Sequence, residues 1–222
     1  MNKLTWYDSL PEVWEATLET LYMVTVSFVL TVIGGVLAGI VLQVTSPSGL
    51  LPRRTLNTVL GVIVNLFRSL PFLILLIALI GVTRAIVGTA IGPTAAIVPL
   101  TIGAIPFFAR IVESALREVP RGRVEAAQAM GASTGQIVRK VLLPEAVSPL
   151  VAGATLTLVL LVGYSAMAGV IGGGGLGDFA IVYGYQRFNT PVLLVAVVVL
   201  IVMVQIMQSV GDGIIRAYAH RR

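Results

Sequence analysis

Cysteine is absent from the chain, so disulfide frameworks, thiolate zinc sites and thiol nucleophiles are excluded together. Histidine is nearly absent: the single His220 sits beside Arg221 and Arg222 at the end, where it reads as a solvated tail residue rather than a ligand. Charge is scarce too. Only 11% of the 222 residues are charged against 57% hydrophobic, and the mean hydropathy of +0.97 is that of a polytopic membrane protein, not of a soluble core. No GxxxxGK[ST] phosphate loop occurs, so ATP is not bound here by the usual P-loop. The net charge of +5 does not indicate nucleic acid, because the basic residues flank hydrophobic runs instead of forming one stripe.

What is present is a set of five long apolar runs, at about 20–44, 57–80, 91–112, 148–171 and 190–211. A hydrocarbon layer of roughly 30 Å needs about 20 apolar residues per helix, so each run is long enough to cross. The expected fold is an all-α integral membrane protein with five transmembrane helices. The first 19 residues carry Asp8, Glu12, Glu15 and Glu19 in place of a basic and then apolar leader, so the first run is expected to be an uncleaved anchor. Lys3, Arg84 and Arg187 fall on one side. Arg53, Arg54, Arg110, Arg117, Arg121, Arg123, Arg139, Lys140, Arg216, Arg221 and Arg222 fall on the other, with Arg68 left aside as intramembrane. Three against eleven places the N-terminus outside and the C-terminus in the cytoplasm. The chain then divides into an outer segment 1–19, a transmembrane domain 20–212 with a cytoplasmic loop 113–147, and a cytoplasmic tail 213–222. Trp6, Tyr7 and Trp14 suit the headgroup layer, and residues 4–18 are expected to form a short helix on the outer surface.

Within the runs a few residues stand out. Gly35 and Gly39 form a GxxxG pair that admits a close helix neighbour, either within one subunit or across a dimer. Arg68, in FRSLPF, is the one charge deep in an apolar run. Pro71 cannot donate to the helix ladder, so a break at Ser69–Pro71 is expected. An intramembrane Arg costs about 3 kcal/mol unless paired or hydrated. Arg68 therefore either bonds the freed carbonyls or lies on a translocation path. Pro99 and Pro106 predict kinks in the third run. Tyr164, Ser165 and Met167 sit near the outer end of the fourth, where a flexible Met is able to close a narrow passage or simply fill the core. Gly172–Gly175 reads as a flexible exit from the fourth run.

The segment from Arg121 to Pro144, RGRVEAAQAMGASTGQIVRKVLLP, is unlike the rest. Pro120 and Gly122 stop the preceding helix, Val124 to Met130 can form a short helix, and Gly131 offers the left-handed geometry that ends one. Ser133 with Gln136 matches a capping box, and Ile137, Val138, Val141 and Leu142 give an apolar stripe until Pro144. Glu125 falls near the first helix N-terminus, where the dipole favours a carboxylate. Two short helices joined at a glycine make a compact knob suited to a groove on a partner.

Glu125-Ala126-Ala127, Gly131, Val141 and Leu143-Pro144 resemble the EAA loop of the permease subunits of bacterial ABC importers, with Val141 in place of the commoner isoleucine. FRSLPFLILL at 67–76 and LVGYSAMAGVIGGGGLGDFAIVYGYQRFN at 161–189 resemble the permeases of methionine importers in particular. The resemblance implies a type I importer permease fold in the bacterial inner membrane and assigns Glu125, Ala126, Ala127, Gly131, Leu143 and Pro144 to coupling with a cytoplasmic ATPase. It also implies a homodimer, two ATPase subunits that carry ATP and Mg, a methionine-binding lipoprotein outside, and D- and L-methionine as cargo. The chain itself would hold no cofactor and no catalytic residue.

Two other classes fit less well. An ion-coupled secondary transporter usually carries Asp, Glu or His within the membrane and internal repeats, whereas Glu19 and Asp212 lie only at the edges of runs and no repeat is evident. A passive channel would need a selectivity filter or a charged ring. Neither explains the knob. Within the favoured class, a permease for another amino acid or small nutrient is the alternative.

Overall fold

The computed structural model describes residues 10–219, and every regular element among them is helical. Trp6, Tyr7 and His220 lie outside the described residues. In chain order the helices are α1 (Leu10–Thr45), α2 (Arg54–Ser69), α3 (Phe72–Ala78), α4 (Ile80–Val87), α5 (Pro93–Arg117), α6 (Arg121–Ala129), α7 (Thr134–Ile137), α8 (Leu143–Glu145), α9 (Val147–Gly169), α10 (Gly175–Phe179) and α11 (Thr190–Ala219). Two π-helical turns, Val138–Leu142 and Ala180–Tyr185, follow α7 and α10.

Four helices are long and apolar enough to cross a membrane: α1, α5, α9 and α11. A fifth crossing exists if α2 and α3 count as one, for they are bent by 106° at the break between them. The sequence anticipates that break but not its size. Pro71 lacks an N–H and forces the residue before it out of the helical region, so both Leu70 and Pro71 leave the helix, and Pro71 sits extended at φ −59°, ψ 131°. The Ser69 hydroxyl donates to the Leu66 carbonyl at 2.8 Å and so satisfies one acceptor at the helix end.

From Leu10 onward the expected surface helix over 4–18 is no separate element; those residues begin α1. Glu12 stands in the first turn, where the dipole favours it, and Val13 and Ala16 are buried, which ties the start of α1 to the packing. Trp14 faces outward, 65% exposed.

The chain divides into two compact units. The first comprises the described residues up to Leu30 with Leu70–Ala104 and Leu158–Ser209. Its core is built on Met23, Leu76, Leu100 and Leu161, with a second cluster on Leu176, Phe179 and Val192. Ser27 donates to the Ile97 carbonyl inside it. The second comprises Thr31–Ser69, Ile105–Thr157 and the residues from Val210. Phe108, Val112, Leu116, Ile137 and Leu142 form its main core.

In the second unit the GxxxG pair of α1 meets α5 of the same chain. A Cβ on Gly35 would come within 2.7 Å of the Phe108 ring, and one on Gly39 within 2.5 Å of Val112 Cβ and 2.6 Å of the Ala109 carbonyl oxygen. The pair thus serves packing within the subunit. Gly39→Val is expected to lower stability by about 1–3 kcal/mol, because backbone must move to admit the side chain. Gly213→Val, with nothing within 4 Å, should stay within about 0.5 kcal/mol. Melting curves of the detergent-solubilised variants separate the two.

Candidate functional site

The knob forms, but α6 begins at Arg121 rather than at the expected Val124, because Pro120 opens the helix and Gly122 is taken into it, so Glu125 lies past the first turn and not at the N-terminus. After α6, the Gly131 N–H donates to the Gln128 carbonyl at 2.9 Å and the Ala132 N–H to the Ala127 carbonyl at 3.0 Å, the paired bonds of a Schellman end. Gly131 takes the required left-handed turn at φ +79°. The next helix starts at once: the Gln136 N–H reaches the Ser133 hydroxyl at 3.4 Å and the Ser133 N–H donates to the Gln136 side-chain oxygen at 2.8 Å. α7, the π turn and α8 then run together from Thr134 to Glu145. The wider turn lies just before Pro144, whose missing N–H would leave an α-helical carbonyl unpaired. Arg123 pairs with Glu145 and so ties α6 to α8.

Ala127, Ile137 and Leu142 are the buried underside of this element, while Glu125, Ala126, Gly131 and Pro144 are exposed and Leu143 is half-buried. Sequence reasoning missed Met130, which stands at the turn between the helices with 81% of its surface free. Its signal was available: a bulky apolar residue directly before the helix-ending glycine. Behind α6 lies an open cavity of about 300 Å³, bordered by Gln43 and Ser48 from the end of α1 and by Arg117, Arg121 and Glu125. Glu113 is almost fully buried beside it and is held by Arg110 at 2.6 Å and by Arg117. Arg110 reaches on to the Gly61 carbonyl at 3.0 Å and the Asn65 side-chain oxygen at 2.9 Å, binding α2 to α5.

The residues grouped as path or gate are not all alike. Arg68 is exposed and forms no hydrogen bond or ion pair with the described residues, so it does not bond the carbonyl freed by Pro71. Tyr164 is half-buried and stacks on Phe72, ring centroids 4.0 Å apart and 7° from parallel. Ser165 is buried with its hydroxyl turned back to the Val162 carbonyl, 2.8 Å away. Met167, 47% exposed, lies on another face of α9, in line with exposed Gly163 and Val170.

Gly172–Gly175 is pinned rather than flexible. The Gly175 N–H donates to the Glu19 carboxylate at 2.7 Å, the Leu176 N–H to the Thr20 hydroxyl at 2.8 Å, and the Gly92 N–H to the Gly172 carbonyl at 2.9 Å. α10 packs so close to α9 that a Cβ on Gly177 would come within 2.5 Å of the Ala166 backbone. Beyond it Phe179 stacks on Tyr183 at 5.1 Å, and the Arg187 guanidinium lies over the Tyr183 ring at 4.4 Å. The segment ends in a second Schellman pattern, with Phe188 N–H to the Tyr185 carbonyl and Asn189 N–H to the Gly184 carbonyl. Phe188 stands where glycine is usual, at φ +52°, which costs a side chain about 1–2 kcal/mol.

An all-helical chain with four to five membrane-length crossings and an exposed, braced knob between two of them has the build of a membrane transport subunit. Residues 31–222 match the family described as the inner membrane component of binding-protein-dependent transport systems, and the chain belongs to that family. It is a multi-pass inner-membrane protein. Over 206 residues it is 57% identical to the probable D-methionine transport system permease protein of Vibrio cholerae, covering 93% of this chain and 92% of that one. It is 49% identical over 203 residues to the methionine import system permease protein of Bacillus subtilis, covering 91% of each. A chain of the MetNI methionine ABC transporter, solved in an inward-facing conformation, matches with a TM-score of 0.92 at 50% identity, covering 95% of this chain and 99% of that one. The type I ABC permease fold expected from the EAA resemblance is therefore the fold observed.

Burial pushes the Asp178 carboxyl in α10 above its ordinary range. The charged form is disfavoured in the folded state, so stability is fullest below the usual Asp range near pH 4 and falls as pH rises through the raised value. Asp178→Asn, which mimics the neutral form, should melt higher than the parent at pH 7 and match it at low pH. Melting temperatures across a pH series check the sign.

Proposed function

We propose that two copies of this chain form the translocation pathway of an ATP-driven methionine importer, D- and L-methionine both being cargo. ATP and Mg reside on a separate pair of cytoplasmic ATPase subunits, and a methionine-binding lipoprotein delivers cargo from outside. Identity of 57% to a protein named as a D-methionine transport permease, over nearly the whole of both chains, is the observation that carries the substrate. The three-to-eleven split of basic residues supports five crossings with the N-terminus outside, α2 and α3 together making one of them. The outer segment 1–19, the transmembrane domain 20–212 and the tail 213–222 follow from that topology.

The knob is the coupling element. Its buried underside is fixed to the chain by Ala127, Ile137 and Leu142, and the Schellman end and capping box hold its two helices at one angle, so force on its exposed face moves it as a unit. Glu125, Ala126, Gly131 and Pro144 offer a surface of small residues with one carboxylate, suited to a groove, and Leu143 backs it from the half-buried side. On the passage side, Met167 is the gate, since it is exposed on α9 and able to meet its counterpart in a second copy. Tyr164 stacks on Phe72 and Ser165 fixes the helix from the buried side, while the unpaired Arg68 lies on the path, where water or cargo can solvate it.

Methionine uptake into vesicles holding the chain with its ATPase, with and without ATP and the delivery protein, tests the reading. ATP-dependent uptake of another solute would discard methionine, and uptake driven by an ion gradient alone would discard the class. Glu125→Lys and Gly131→Asp should weaken ATPase docking about tenfold or more while insertion and dimerisation persist. Unchanged transport in either variant removes the coupling assignment. Met167→Ala should raise basal leakage or uncoupled ATP turnover; if both stay at the parent level in reconstituted vesicles, the gate lies elsewhere.

A further inference from the structure

The cavity behind α6 carries charges that the packing of the knob does not use. It is enclosed by the end of α1, the end of α5 and one face of α6, all within the second compact unit. Two guanidiniums border it. Arg117 is engaged by Glu113, whereas Arg121 forms no hydrogen bond or ion pair with the described residues. Arg121 is also badly placed for its own helix. It opens α6, whose first turn holds Arg121 and Arg123 with no carboxylate and no side-chain cap, where the helix dipole favours an anion. Arg123 is neutralised by Glu145, and no described residue does the same for Arg121.

Acceptors without donors stand on the same cavity. Glu125 borders it and pairs with no described residue, and the side-chain oxygen of Gln43 at its edge is shielded from solvent yet accepts no hydrogen bond from them. A shielded acceptor left without a donor is unfavourable, and rotation about the last side-chain bond turns it to the cavity. Free donors and free acceptors around one small space ask for a ligand that carries both an anionic group and an N–H cation. An inorganic anion would meet only the guanidiniums. Leu50 and Val119 add apolar wall, and the cavity lies where the membrane-length helices α1 and α5 both end, at the cytoplasmic edge of the bilayer. Its volume of about 300 Å³ is at the low end for small-molecule sites, enough for a lipid headgroup without its chains. Basic pockets between membrane helices on the cytoplasmic side are where phospholipid headgroups bind.

We propose that this cavity seats the headgroup of an aminophospholipid, with the phosphate on Arg121 and Arg117, the primary ammonium between Glu125 and the Gln43 oxygen, and the acyl chains left in the bilayer. The bound headgroup ties the first turn of α6 to the end of α1. The proposal rests on the cytoplasmic placement of residues 113–147 and is independent of which solute is carried.

The test is native mass spectrometry of the permease with its ATPase, stripped of copurified lipid and titrated with phosphatidylethanolamine, phosphatidylcholine or phosphatidylglycerol. Phosphatidylcholine keeps the phosphate but has methyls in place of the ammonium N–H groups, and phosphatidylglycerol has no amine. Both should bind about tenfold or more weakly than phosphatidylethanolamine, the loss of one charge-assisted hydrogen bond. Arg121→Gln should weaken all three lipids, since each brings a phosphate. Gln43→Leu should weaken phosphatidylethanolamine alone, and its melting temperature without lipid should not fall, because it removes an unmatched acceptor. Equal binding of the three lipids to the parent overturns the proposal and leaves the cavity to water. A preference for phosphatidylethanolamine that persists unchanged in both variants also overturns it and places the lipid elsewhere, and lost binding with lowered melting temperatures in both marks general damage and overturns it too. Glycerophosphoethanolamine, the same headgroup without chains, should bind far more weakly than the lipid; equal affinity overturns the membrane source and assigns the cavity to a soluble compound. Methionine uptake is not read in any arm, so failure here leaves the importer reading standing.

Discussion

Helix backbones in this chain meet at small residues, and the remaining packing depends on that close approach. Lipid tails are as apolar as leucine, so burial of apolar surface does not by itself drive one membrane helix onto another; dispersion contacts at short range must do it. Gly39 lets α1 reach the Ala109 carbonyl of α5, Gly153 of α9 leaves room for the Ile111 side chain, and Gly211 of α11 does the same for Thr155. Phe108, Val112 and Leu116 are then fully enclosed although much of the chain's outer surface is leucine, isoleucine and valine. The apolar composition brings the chain into the membrane, and the glycines give it one arrangement there.

Polar groups follow the same economy. Glu113 would be a heavy liability alone in a helix of this kind, and it is met by two guanidiniums, one of which also bridges to a carbonyl and an amide on α2. A buried ion pair adds little net stability over an apolar alternative, but its partners have few other places to go, so it fixes which helices neighbour each other. The hydroxyls of Thr17, Thr20 and Thr157 instead return to carbonyls four residues back within their own helices.

Periodicity and punctuation made the helices, the break at Pro71, the Gly131 turn and the Ser133–Gln136 cap readable before any coordinates, because each is decided by residues within a few positions of one another. What depended on distant neighbours was not readable. GxxxG at Gly35–Gly39 is the same pattern whether its partner is α5 or a second copy. The run Gly172–Gly175 suggested freedom, yet its amides are fixed by Glu19 and Thr20, more than 150 positions away in the chain. Ser165 and Met167, adjacent in the sequence pattern, part to different faces of α9. Phe188 gave no local signal, since left-handed turns are ordinarily announced by glycine or asparagine, and here the nearest asparagine is one place too late.

The cavity behind α6, at about 300 Å³, has room for roughly ten water molecules at 30 Å³ each. Arg121 and Glu125 therefore border a hydrated hollow instead of a dry seam, and their fields are damped by mobile ions as well as by water. At physiological ionic strength that damping length is about 8 Å. Any charge facing these two residues thus feels them only at contact range, and less so as salt rises.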